Sequence, residues 1–255
     1  MTAEAGADEL VHYGTLGGIA TITLDSPANR NALSAATLRR LVSLVGEAET
    51  DDAVRVLVIS HTGRVFCSGM DLAESRGAAG SMPVNAFPDL LRAIVASPKP
   101  VIARVGGAAR AGGIGLLAAC DIAVAHSTAT FAFTEVRLGI VPAVIMATVL
   151  PRVAGSAREL LLTGEVFDGT RAAAIGLVNA AVEDVDAEVA RYADLLARGG
   201  PTALAETKRL LRRSPTLDDL SSLVELSARF FAAPEGQEGI AAFGEKRPPS
   251  WVPGA

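Results

Sequence analysis

The sequence predicts an α/β fold in which a parallel sheet is followed by a helical C-terminal region. Short apolar segments with strand character alternate with segments of helical periodicity from Ile19 to Val182. From Asp184 onward only helical spacing remains, and three prolines break it into pieces: Pro201, Pro215 and Pro234. Half of the 255 residues are hydrophobic, which is enough apolar surface to build one large core.

The first predicted unit is a strand, a helix and a second strand. Ile19–Leu24 carries apolar and β-branched residues and ends at a Ser-Pro pair that favours a turn. A helix begins after Ser34, whose hydroxyl suits an N-cap, and apolar residues recur at helical spacing as far as Glu49. Val54–Ser60 is almost continuously apolar, which is typical of a parallel strand buried on both faces. A unit of this size predicts a right-handed crossover.

The middle of the chain holds the glycine-rich stretch RVGGAARAGGIGLLAACD. It continues from the predicted strand Val101–Val105 and enters an apolar helix at Gly112-Gly113. Glycines at a helix start expose backbone N–H groups that no side chain shields and no helical carbonyl accepts. The helix dipole favours negative charge at the same place. This stretch therefore predicts a site that can hold a developing oxyanion.

The remaining predicted elements are short. Residues 73–86 are rich in Ala, Gly and Ser and predict a mobile loop, which an amphipathic helix over Phe87–Ala96 follows. The other predicted strands are Ile122–Ala125, Thr130–Phe133 and Val178–Val182. The helices predicted between residues 143 and 175 are Ala143–Val153, Ser156–Thr163 and Thr170–Ile175, the last one capped by Asp168.

A second loop, FCSGMDL, follows an apolar strand and a glycine-containing turn. Gly69 permits a backbone conformation that can aim the N–H of Met70 outward, and Asp71 can cap the next turn. Alone this pattern is a common turn. Paired with Gly112 at the next strand–helix crossing, it places two peptide donors at neighbouring strand ends, where α/β proteins bind ligands.

Composition narrows the classes of partner. The net charge of −5 argues against nucleic acid or an anionic membrane as the main partner. Two cysteines, no signal-peptide pattern at the N-terminus and no apolar run long enough to span a bilayer predict a cytoplasmic protein. The three histidines lack metal-ligand spacing and no nucleotide-binding pattern is present, so no metal is expected.

Three segments together identify a family resemblance. FCSGMDL, VGGAARAGGIGLLAACDIAVA and FAFTEVRLGIVP, in this order and spacing, resemble the crotonase superfamily of enoyl-CoA hydratases and isomerases over about residues 15–250. The resemblance implies a crotonase-type spiral of ββα units with a C-terminal helical region. It implies a core over residues 1–200 with a CoA thioester site, and trimerisation through residues 201–255. The expected assembly is a homotrimer or a dimer of trimers.

The resemblance also assigns roles to residues. The N–H groups of Met70 and Gly112 would hold the thioester oxygen, and Glu135 would be the acid–base residue. Glu135 is the sole carboxylate between Ile122 and Leu150, and an apolar pocket would raise its pKa. Coenzyme A is part of the substrate, so no separate cofactor is expected. The residues implied in substrate binding are Ala28, Arg30, Ser68, Gly69, Asp71, Leu72, Gly113, Gly115, Pro142 and, in the C-terminal helix and near the CoA phosphates, Lys246.

One position departs from the family pattern. Typical hydratases carry two glutamates, and the first of them falls on Gly115. The leading interpretation is reversible hydration of a 2-enoyl-CoA thioester, with a branched acyl group among the candidates. Isomerisation of the Δ3 to the Δ2 enoyl thioester is the alternative, because one carboxyl can move a proton between two carbons. A catalytically silent acyl-CoA-binding protein is a third. Ala143 stands where dienoyl-CoA isomerases place an aspartate, which disfavours that activity.

Overall fold

Two mainly parallel sheets of unequal size form the body of the molecule. The computed structural model describes residues 10–77 and 86–254. The described strands are β1 (Val11–Leu16), β2 (Ile19–Leu24), β3 (Val56–His61), β4 (Val65–Cys67), β5 (Val101–Val105), β6 (Ala108–Arg110), β7 (Ile122–His126), β8 (Thr130–Ala132), β9 (Phe167–Asp168) and β10 (Ala180–Val182). The larger sheet has the order β1-β2-β3-β5-β7-β10 and the smaller one β4-β6-β8-β9.

The helices connect and cover these sheets. In chain order the described α-helices are α1 (Ala35–Thr50), α2 (Leu72–Gly77), α3 (Ala86–Ala96), α4 (Gly112–Ala119), α5 (Ala143–Val153), α6 (Ala157–Thr163), α7 (Gly169–Ala174), α8 (Val185–Ala197), α9 (Pro201–Arg213), α10 (Leu220–Ala232) and α11 (Pro234–Glu245). Short 3₁₀ turns occur at Pro27–Asn29, Glu135–Leu138 and Leu217–Asp219.

The chain winds as a spiral in which each turn adds one strand to each sheet. β3 and β4, β5 and β6, and β7 and β8 are consecutive pairs, and a helical segment follows each pair. Within the larger sheet β2, β3, β5, β7 and β10 are parallel, and β1 pairs with β2 as an antiparallel hairpin. The predicted spiral of ββα units with a helical C-terminal region is confirmed.

Residue alternation in β3 explains why its sequence is continuously apolar. Leu57 and Ile59 face the main core, which packs against helices α1, α3 and α4. Val56 and Val58 face a second cluster that contains Val189 and other residues of α8. All six residues of β3 are buried, as a parallel strand covered on both faces requires.

Two local predictions were confirmed in atomic detail. The Ser34 hydroxyl accepts a hydrogen bond from the N–H of Thr37 at 3.1 Å and caps α1. The Asp168 carboxylate accepts one from the N–H of Arg171 at 2.8 Å and caps α7.

One other local prediction needs correction. The segment expected as a loop over residues 73–86 includes most of helix α2 and the first residue of α3, and residues 78–85 lie outside the described part. Strand β6 was not predicted, because three residues are too few to show a period.

The division at residue 200 into a core and a trimerisation region stays a prediction. Helix α8 precedes residue 200 and packs on the larger sheet through Val185 and Val189, so it belongs to the core. The described residues contain no helix that is long and apolar enough to cross a membrane.

Candidate active site

The two loops singled out by the sequence meet at one edge of the smaller sheet. β4 and β6 are parallel neighbours, so the loop after β4 lies beside the start of α4. A Cβ atom on Gly112 would lie 3.5 Å from the backbone nitrogen of Met70. One on Gly69 would lie 3.2 Å from the nitrogen of Gly112. The two peptide amides predicted as oxyanion donors are therefore adjacent.

Both amides follow a residue with a positive φ angle. Gly69 has a φ of 95°, which glycine adopts freely. Ala111 has a φ of 47°, and a side chain in this region costs roughly 1–3 kcal/mol unless its surroundings impose it. In the described part of the chain, the N–H groups of Met70 and Gly112 donate no hydrogen bond. The backbone is thus held in a shape that presents two free donors.

These donors line an apolar cavity of about 140 Å³. Its walls come from the loop after β4, from α3, and from the segment between β8 and α5. Leu138, Ile140 and Val141 line the cavity and are 56%, 45% and 76% exposed. Among the described residues that line the cavity, Glu135 alone has an ionisable side chain.

Glu135 begins the 3₁₀ turn that follows β8, and its side chain enters the cavity wall. It is 6% exposed, and its Oε2 atom has no hydrogen-bond partner among the described residues. Burial raises the pKa of the Glu135 carboxyl, and a hydrogen bond from its own backbone N–H opposes part of the rise. The predicted direction of this pKa shift is confirmed. A carboxyl in this state accepts a proton more readily at neutral pH than an exposed one.

Gly115 lies in the first turn of α4, and the space next to it is occupied. A Cβ atom there would lie 2.5 Å from Cγ2 of Ile145 and 3.4 Å from Cζ of Phe87. Both of these neighbours line the cavity, whereas Gly115 does not. The space that a side chain at residue 115 would need is therefore filled by Ile145 of α5.

The other residues assigned to substrate binding divide into two groups. Ser68, Leu72 and Pro142 line the cavity. Gly69 and Asp71 belong to the same loop as Ser68 but lie outside the cavity lining. Ala28 and Arg30 are exposed on the neighbouring loop. That loop is joined to the site because the N–H of Ser68 donates to the carbonyl of Arg30 at 3.1 Å.

Two assignments differ from expectation in their placement. Gly113 lies outside the cavity lining, and a Cβ atom on it would lie 2.4 Å from the carbonyl oxygen of Cys67. Glycine is needed at this position because α4 packs closely on β4. Lys246 was expected within the C-terminal helix, but it caps α11 from just beyond its end, with a φ of 56°. It is exposed and lies outside the cavity lining, and its contact with a CoA phosphate stays a prediction.

Sequence reasoning assigned no individual role to two of the side chains that shape the cavity. Phe87 and Ile145 reach it from α3 and α5, far from the glycine-rich stretch in the chain. Their apolar character marks them as core, and only the packing of the helices shows that they line a ligand cavity. The described residues contain no group of three or more His, Cys, Asp and Glu side chains that could hold a metal ion.

Comparison with known proteins supports one family. Residues 14–253 match the family model of enoyl-CoA hydratase/isomerase. A Bacillus subtilis protein described as a probable enoyl-CoA hydratase is 35% identical, with 91% of this chain and 95% of the relative covered. The human mitochondrial methylglutaconyl-CoA hydratase is 32% identical, with 92% and 74% covered. An enoyl-CoA hydratase crystal structure from Mycobacterium avium is 44% identical and covers 96% of this chain and 99% of its own, with a TM-score of 0.74. The chain therefore belongs to the enoyl-CoA hydratase/isomerase family of the crotonase superfamily.

Proposed function

We propose that the protein catalyses the reversible hydration of a 2-enoyl-CoA thioester. One observation carries the proposal: two unpartnered peptide amides and one buried carboxyl with an unpartnered oxygen line the same apolar cavity. The names of its relatives support the same reaction. Coenzyme A enters as part of the substrate, and no further cofactor is proposed.

The amides of Met70 and Gly112 would bind the thioester oxygen. When a nucleophile adds to the β-carbon, negative charge moves to this oxygen and an enolate forms. A donor of this kind, fixed before the reaction and shielded from water, contributes about 3–4 kcal/mol to transition-state stabilisation. The start of α4 adds the positive end of its dipole at the same point.

Glu135 would move the proton. Its carboxylate accepts a proton from water while the water oxygen forms a bond to the β-carbon. The enolate is then protonated at the α-carbon by the same carboxyl, which returns to its starting state. Burial favours this role because it raises the pKa of Glu135 and makes the carboxylate a stronger base.

The cavity also restricts the acyl group. No cationic side chain is among its described lining residues, and Glu135 is acidic. An acyl chain that ends in a carboxylate would be buried beside this acid without a counter-ion among the described lining residues, which is costly. The proposed substrates are therefore thioesters with uncharged acyl groups, straight or branched. We expect the CoA portion to lie over the exposed loop that contains Ala28 and Arg30.

Isomerisation of a 3-enoyl-CoA to its 2-enoyl form is the second candidate. The single carboxyl favours it, because Glu135 could remove a proton from the α-carbon and return it to the γ-carbon. Hydration forms an enolate with a hydroxyl on the β-carbon and isomerisation forms a dienolate, and in both cases the same two amides would hold the thioester oxygen. Assembly as a trimer or a dimer of trimers, and location in the cytoplasm, are likewise proposals.

Two substrates separate the candidates. With crotonyl-CoA, loss of absorbance from the conjugated enoyl thioester indicates hydration. With a 3-enoyl-CoA, gain of that absorbance indicates isomerisation. Binding of acyl-CoA with neither change would indicate a silent binding protein and contradict the proposal.

The matched variants are Glu135→Gln and, as a control on the exposed face of α1, Glu47→Gln. We expect the first to lower either rate by about a hundredfold or more, the usual scale of general acid–base catalysis. The control should retain the wild-type rate. Equal rates for wild type and Glu135→Gln would show that another group moves the proton.

A further inference from the structure

Ile145 makes the closest contact in the wall that faces Gly115 in the first turn of α4. Ile145 Cγ2 lies where it would be 2.5 Å from a Cβ atom at residue 115, and Ile145 Cβ would be 3.0 Å from it. Real contacts of a Cβ atom are essentially never shorter than 3.0 Å. No residue other than glycine therefore fits at position 115 while Ile145 keeps its place.

A hydrogen bond between α5 and α4 and burial in the core hold Ile145 in this place. The Thr148 hydroxyl, one turn further along α5, donates to the carbonyl of Gly115 at 3.0 Å and lies 3.1 Å from the carbonyl of Ile145. Ile145 itself is 3% exposed and belongs to the main core. The Gly115 carbonyl is thus already engaged, and helix α5 is tied to α4 beside the cavity.

This packing leaves the wall without a polar group that could hold water. A buried water needs two to four polar partners. The described lining residues that contact the space beside Gly115 are Phe87 and Ile145, both apolar. Among the described lining residues, Glu135 has the one carboxyl that could activate a water for addition to the β-carbon, whereas direct transfer of a proton between two carbons needs no water.

We propose that Ile145 is a specificity-determining residue that shifts the site from water addition toward proton transfer between two carbons of the acyl chain. It does so by excluding a second acid–base side chain at position 115 and by keeping that wall dry. This inference rests on the proposed function, because it concerns the ratio of its two candidate reactions.

The exclusion is tested by stability alone. We expect Gly115→Ala to lower the urea midpoint of unfolding clearly below that of the wild type. Ile145→Ala removes Cγ2 and also lowers the midpoint, because it empties a buried position. The double variant should lose less stability than the two single variants lose together. The new methyl group at residue 115 occupies the space that Ile145→Ala vacates. Additive losses, or an unchanged midpoint for Gly115→Ala, would overturn the exclusion.

The effect on the reaction is tested in the Ile145→Ala background, where position 115 has space for a larger side chain. Ile145→Ala with Gly115→Glu supplies a second carboxyl, and Ile145→Ala with Gly115→Gln is the matched control of equal size. The ratio of crotonyl-CoA hydration to 3-enoyl-CoA isomerisation should rise on the order of tenfold or more in the Glu variant relative to the Gln variant. Circular dichroism and the urea midpoint show that both variants are folded.

The outcomes distinguish this inference from the proposed function. An unchanged ratio in a folded Glu variant overturns the role of Ile145 and leaves the proposed function intact. If the wild type catalyses neither reaction, the proposed function is wrong, and so is the inference that Ile145 sets the ratio of hydration to isomerisation. The stability comparison remains informative in that case, because it uses no substrate.

Discussion

Replacement of Gly113 by alanine should damage both stability and activity. The new Cβ atom would lie 2.4 Å from the carbonyl oxygen of Cys67 and 2.8 Å from its Cβ atom. The first distance is about 1 Å shorter than an ordinary contact between heavy atoms. The oxygen belongs to the backbone of β4 and cannot rotate away, so α4 and β4 must move apart.

The magnitude follows from this displacement. Overpacking of a closed core costs about 1–3 kcal/mol, which we expect as the fall in the free energy of unfolding. The same shift separates the amides of Met70 and Gly112, and a misplacement of about 1 Å can cost on the order of a hundredfold in rate. Urea denaturation measures the first effect, and the rate with crotonyl-CoA or a 3-enoyl-CoA the second.

Gly46→Ala in helix α1 is the matched control. No atom lies within 4 Å of the new Cβ position, so this substitution should stabilise the helix by roughly 0.5–1 kcal/mol and leave the rate unchanged. If Gly113→Ala were as stable and as active as the wild type, the close packing of α4 on β4 would not be what positions the two amides.

Three further predictions concern other groups. Burial raises the pKa of the Cys67 and Cys120 thiols to about 12, so neither should react with a thiol reagent at neutral pH until urea unfolds the protein. His61 is 7% exposed, its Nε2 accepts a hydrogen bond from the N–H of Gly106, and burial lowers its pKa. Stability should therefore fall as the pH drops below about 6.5, because the histidine of the unfolded chain takes up a proton there. Between pH 7.5 and pH 5 the urea midpoint of His61→Gln should fall less than that of the wild type. Crotonyl-CoA should be converted faster than methylglutaconyl-CoA, because the free carboxylate of the latter would meet Glu135 and no cationic side chain among the described residues that line the cavity; equal kcat/KM values would contradict this.

Much of the fold could be predicted from local patterns. The apolar run of β3, the caps at Ser34 and Asp168, and the helix at Gly112 depend on neighbouring residues, so their signals are visible in the sequence. Strand β6 is stabilised by pairing with β4 and β8, and this pairing joins distant parts of the chain. Its three residues carry no period of their own.

The candidate site could likewise be predicted where its signal is local and not where it depends on contacts between distant parts of the chain. The glycine pattern and the lone carboxylate indicate Met70, Gly112 and Glu135, and the three residues do line one cavity. The sequence shows that Gly115 departs from the family pattern, but it does not show the physical cause of this departure. The side chain that fills its space comes from α5, and contact between α4 and α5 is a property of the folded chain. Gly113 shows the reverse case, because a glycine assigned to substrate binding lies outside the cavity lining and packs on Cys67.

Exchange of an α-proton tests the central claim without choosing between hydration and isomerisation. Butyryl-CoA, a saturated thioester, can lose a proton from its α-carbon to Glu135 while the two amides hold the enolate oxygen. In deuterium oxide the wild-type protein should exchange this proton for deuterium, as followed by proton NMR, and Glu135→Gln should lower the exchange rate by about a hundredfold or more. Exchange at the same rate in Glu135→Gln and wild type would show that this carboxyl is not the base, and the account of the active site would be wrong.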